Sequence, residues 1–231
     1  MPRSPLPLLL LALLAACGPP PEPAPTRPGA IPPERRPAPE TVILTLDGFD
    51  VRFGDVLPFV ELYDRAYPSW TLASKVRRVL ETHVIPLRLA EREFPAERAA
   101  VLEKARALRS VAGNVVELEQ QARGLFERKK VTIQQLEPPL ALFLLDRSRI
   151  GAVSEPVALP QGFCVAGAVD IEEAGVVSDD LVDAIQVPFY TFPDKYAYHD
   201  WLASAEAECA GRATFVHPDF RNAMPPWLKL P

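Results

Sequence analysis

Whole classes of chemistry are missing from this 231-residue chain. It has no glycine-rich phosphate loop, no G-x-S-x-G turn and no H-E-x-x-H ligand pair. Histidine occurs only as His83, His199 and His217. Cys209 and His217 are too few to make a zinc site, and His199-Asp200 reads as a surface pair. Basic charge is not in excess: 25 Lys and Arg against 30 Asp and Glu leave a net −5. Charge therefore gives no reason to hold nucleic acid or an anionic lipid surface. Beyond the first residues, no apolar run reaches the ~18 positions that a bilayer span needs. Cysteine is scarce, with Cys17, Cys164 and Cys209 only.

What is present begins at the N-terminus. Arg3 precedes an apolar stretch, Leu6 to Leu14, that closes on Leu14-Ala15-Ala16-Cys17. A basic start, an apolar middle and small residues before a cut are the layout of a secretory signal. Leu-Ala-Ala-Cys resembles the lipobox of bacterial lipoproteins. That resemblance implies cleavage before Cys17 and lipidation of Cys17, so that the chain is tethered to a membrane without spanning it. Gly18 after the cysteine, in place of Asp, is compatible with carriage to the outer membrane.

Residues 19–39 hold ten prolines, including Pro19-Pro20-Pro21 and Pro32-Pro33. Such a segment lacks the apolar bulk for a core and favours extended polyproline II, a spacer of about 3 Å per residue. Folded sequence starts at Thr41. Val42 to Leu46 is β-prone, Asp47-Gly48 is a turn, and Phe49 to Val51 follows. Gly54 to Ala66 reads as a helix. Helical periodicity then covers residues 71–94, with Pro86 as a bend, and 96–126, weakened at Gly113-Asn114. These two long helices suggest a hairpin, with Glu127 to Lys130 as its solvated end. Further on, Gln134 to Arg147 reads as helix, Phe163 to Val169 as strand, Asp179 to Ile185 as short helix, Asp194 to Cys209 as helix and Ala213 to Val216 as strand. Trp70, Trp201 and Trp227 read as packing residues that could also line a groove.

The order of strand, Asp-Gly turn, short helix and helical hairpin resembles the N-terminal chaperone module of SurA-like and PrsA-like foldases. Ile150-Gly151-Ala152-Val153-Ser154-Glu155-Pro156-Val157, followed by Leu159-Pro160-Gln161-Gly162-Phe163, is similar to the G-x-V-S-E-P-V and T-P-x-G-Y/F segments of parvulin-type peptidyl-prolyl isomerases. The resemblance implies a groove for extended polypeptide lined by Val153, Pro156, Phe163 and Cys164. It also implies a degenerate domain: the opening strand with its histidine is missing, and Cys164 stands where the final strand carries a second histidine.

These readings combine into one expectation. The fold is mainly α with a small β component (α+β), a SurA-like helical module plus a partial parvulin-like unit. The divisions are 1–17 signal, 18–40 linker, 41–130 helical module, 131–175 parvulin remnant and 176–231 C-terminal helices and closing strand. The function is binding of unfolded or outer-membrane client polypeptides at the bacterial envelope, facing the periplasm. No catalytic residue, cofactor, metal or nucleic acid is expected. The alternatives are an isomerase with an altered site and a structural lipoprotein of an envelope or secretion assembly. Cys164 and Cys209 are either a disulfide or two separate buried thiols.

Overall fold

A computed structural model describes residues 36–231. The signal, the lipobox Cys17 and most of the proline-rich linker lie outside the described residues. Strand β1 (Val42–Leu46) turns at Asp47-Gly48 into β2 (Phe49–Arg52), and helix α1 (Phe53–Ala66) follows at once. Asp47 adopts φ 47° and Gly48 φ 85°, which is the left-handed pair that a tight two-residue hairpin turn requires.

Thr71 caps α2 (Leu72–Val79), its hydroxyl accepting from the Ser74 amide. A π-helical turn, Leu80–Val84, then leads into α3 (Ile85–Glu93) with Pro86 at its start. The expected bend at Pro86 thus takes the form of a widened turn: proline has no N–H to continue the ladder, and a π turn absorbs the loss. Helix α4 (Pro95–Val111) ends well before α5 (Val115–Gln121). The long helix expected over 96–126 is two helices because Asn114 starts the second, its Oδ1 accepting from the Val116 and Glu117 amides at 3.0 Å each.

The residues read as a solvated helix end are strand β3 (Glu127–Val131). Helix α6 (Pro138–Leu144) begins on its two prolines, where missing N–H groups cost least. Strands β4 (Val157–Leu159) and β5 (Gly162–Glu172) follow, and then β6 (Leu181–Tyr190), which replaces the short helix expected over Asp179 to Ile185. Helix α7 (Lys195–Cys209) starts on the Asp194 cap, and β7 (Ala213–Val216) is where the sequence placed it.

The strands form two antiparallel sheets, ordered β2-β1-β7 and β3-β6-β5-β4. About 48 % of the described residues are helical and 22 % are strand, so the fold is mixed α and β and the β part is not a minor one. A SurA-like module is not what forms. Helix α4 does not close a hairpin on α3; it lies with α5 on one face of the four-stranded sheet. Ala105, Leu118, Val165, Ile185 and Val187 fill that layer. The opposite face of β5 and β6, with Cys164, Ala166, Ala168, Val182 and Ala184, joins a larger core shared with α1, α2, α6 and the three-stranded sheet.

Candidate functional site

The segment resembling the parvulin motif runs antiparallel beside β5 and ends as β4. Gly151 turns it, at φ 82°, and its amide donates to Ala168 O at 2.8 Å. Ser154 is fully covered: its amide donates to Ala166 O and its Oγ accepts from the Ala166 amide at 3.0 Å. Gly167 of β5 makes room for this approach. A methyl group there would meet Val115 Cγ1 at 2.4 Å and Ala152 O at 2.8 Å.

Held in this way, residues 153–157 form one wall of an open cleft of about 560 Å³. Pro139, Leu142 and Phe143 of α6 form the other, and Arg149 and Glu155 supply charge at its mouth. Arg149 lies over the Phe143 ring at 5.2 Å, and Arg109 holds Glu155 at 3.2 Å. The cleft runs to β4, which is the outer strand of its sheet. Its chemistry is apolar side chains beside an edge of backbone donors and acceptors, with charge at the rim.

The structure brings two of the four expected groove residues together and separates the rest. Val153 and Pro156 share this cleft, although Val153 also packs into the smaller core. Phe163 and Cys164 border a different, smaller cavity of about 150 Å³ with Glu137, Gln161 and Tyr190. They are successive residues of β5, so their side chains leave on opposite faces. Phe163 stacks under the buried Arg98 guanidinium at 5.0 Å. Cys164 is 2 % exposed in the larger core, and burial pushes its thiol up to about 12.

Cys164 and Cys209 are both free thiols, so the disulfide option is not realised. Cys164 sits mid-strand in the four-stranded sheet. Cys209 ends α7 beside Asp47, its Sγ 3.6 Å from Oδ2, and burial raises its pKa too. Among the described residues no group of His, Cys, Asp and Glu is placed to hold a metal.

A second cleft went unnoticed in the sequence apart from Trp70. Tyr63 of α1, Tyr67 at its C-cap and Trp70 in the loop beyond it line a pocket of about 310 Å³ closed by Arg78, Ile133, Gln134 and Leu136. Tyr67 and Trp70 stack at 4.4 Å with 16° between their planes. Only Tyr63 lies within α1; Tyr67 is its C-cap and Trp70 follows in the loop, so helical spacing did not announce the cluster. Leu142 and Phe143 likewise looked like ordinary helix residues.

Together these features make the chain a mixed α and β protein with an open cleft of mixed polar and apolar lining along the end of a sheet edge. Comparison with protein families, with curated proteins and with solved structures finds no match.

Proposed function

We propose that this chain is an envelope lipoprotein, tethered through Cys17, whose folded body holds unfolded or extended polypeptide without isomerising it. The observation that carries the reading is the cleft between α6 and residues 153–157. It pairs apolar walls at Leu142, Phe143 and Pro156 with the outer edge of β4. An extended client gains main-chain hydrogen bonds from a strand edge whatever its sequence, and apolar pockets take alternate side chains. That combination suits a binder of many clients. The lipobox resemblance and the proline-rich spacer support the envelope location.

Holding a client requires no reactive group, and Cys164 offers none, since its thiol stays protonated at any ordinary pH. The cleft supports the client-holding reading, and the isomerase alternative is decided by assay. The test is aggregation of a denatured outer-membrane β-barrel protein, followed by light scattering. The chain should suppress scattering at near-equimolar ratio, and Phe143→Asp should lose most of that protection while keeping the wild-type circular dichroism. No protection by the wild type, or equal protection by Phe143→Asp, contradicts the proposal. So does turnover in an X-Pro isomerase assay that vanishes in Cys164→Ala.

A further inference from the structure

We propose that the aromatic cleft of Tyr63, Tyr67 and Trp70 is the docking site for Pro32-Pro33 of the chain's own proline-rich segment. Three observations lead there.

The first is the direction in which the chain enters the fold. The Gly54 amide donates to Pro39 O at 2.7 Å, and the Arg36 guanidinium holds Asp64 at 2.5 Å. Residues 36 to 39 therefore run alongside α1 in the opposite direction. Asp64 also pairs with the fully buried Lys75 amine at 2.6 Å, which fixes the point where Arg36 is held. Continued backwards, the chain heads for the C-terminal end of α1. Pro33 lies three residues before Arg36, roughly 10 Å of extended chain. Tyr67 lies three residues beyond Asp64, about 4.5 Å of helix rise. Three residues of chain before Arg36 are therefore long enough to span to the cleft.

The second is the lining. Tyr67 and Trp70 stack nearly parallel, Tyr63 meets each of them at 5.9 Å, and Trp70 is 36 % exposed. Flat aromatic walls are what proline rings pack against when a polyproline II ridge is recognised. The third is an unanswered donor. The Tyr67 hydroxyl is covered and, among the described residues, meets only Gln134, without a well-formed hydrogen bond. Polyproline II has no internal hydrogen bonds, so its carbonyls are free to accept one.

Docking would shorten the tether. The extended spacer would hold the body roughly 50 Å from Cys17 at about 3 Å per residue, and fixing Pro32-Pro33 removes its last residues from that reach. This proposal does not depend on client binding at β4 and survives its failure.

The test uses the full-length chain in detergent, grown with 5-fluorotryptophan, with the Trp70 ¹⁹F resonance assigned by its loss in Trp70→Phe. In Pro32→Ala/Pro33→Ala the Trp70 resonance should move and show a larger H₂O/D₂O isotope shift, while Trp201 and Trp227 stay in place. A synthetic peptide of residues 28–37 should bind this double variant at least ten-fold more tightly than it binds the wild type. It should not bind the double variant that also carries Trp70→Ala. An unmoved Trp70 resonance overturns the proposal. Equal peptide affinity for wild type and double variant overturns it as well, because the cleft would then serve external chains. A Trp70 shift that depends on protein concentration overturns it in favour of a second copy.

Discussion

His83 is a histidine placed where a proton is costly. Its ring meets Phe59 edge-on at 5.2 Å, and among the described residues Nδ1 has no hydrogen-bond partner. Burial first, then the nearby Arg98 charge, push its pKa down to about 4, against ~6.5 in an unfolded chain. As pH falls between those values the unfolded chain takes up a proton that the folded one refuses, so stability falls. Above ~6.5 the group contributes nothing, and below about 4 the loss is complete at roughly 3 kcal/mol. His83→Phe keeps an aromatic ring and removes the titration. Urea denaturation at pH 7 and pH 4.5 should show the variant losing about 2 kcal/mol less than wild type. Identical losses contradict the account. The two C-terminal cysteines give a second test at this scale. In a Cys17→Ser chain without reductant, neither thiol should react readily with a disulfide reagent in the folded state, and both should react in urea. No reaction in urea would mean a disulfide.

Among the elements, those with a local cause were legible. The β1–β2 hairpin has its Asp47-Gly48 turn, α7 has the Asp194 cap, and α1 starts where its hydrophobic face begins. The elements that went wrong take their structure from partners. Strand β3 is Glu-Arg-Lys-Lys-Val and has exposed residues on both faces. It exists because it pairs with β6, with Arg128 bonded to Asp183 at 2.9 Å and Lys130 paired with Glu172. A charged outer strand also discourages further pairing on that edge, and β4 is the other outer strand of the same sheet. Strand β6 is a short apolar run that periodicity alone cannot separate from a helix. The cleft was half legible for a related reason: a motif read linearly does not show that Phe163 and Cys164 alternate across β5. The Gly162 turn is the most exacting local feature of the motif. Its φ is 154°, and a methyl group there would lie 2.0 Å from Phe189 O, a backbone atom that cannot step aside. Gly162→Ala should cost about 3 kcal/mol or more in urea denaturation. A cost under about 1 kcal/mol would mean that the β4–β5 turn is built differently.

At the scale of the molecule, one large core ties the three-stranded sheet, α1, α2 and α6 to one face of the four-stranded sheet, while α4 and α5 close the other. Helix α6 is the hinge of the functional argument: Leu140, Ala141 and Leu144 anchor it in the large core, and Leu142 and Phe143 face the cleft. The cleft wall is therefore anchored in the core, and under the proposed function it is the platform on which a client chain would add to β4. Site-specific photocrosslinking tests this claim most directly. With p-benzoylphenylalanine at position 143, an unfolded β-barrel client should crosslink strongly; with the same group at the exposed position 196, it should crosslink little. Equal yields from the two positions, or none from position 143, would contradict the account.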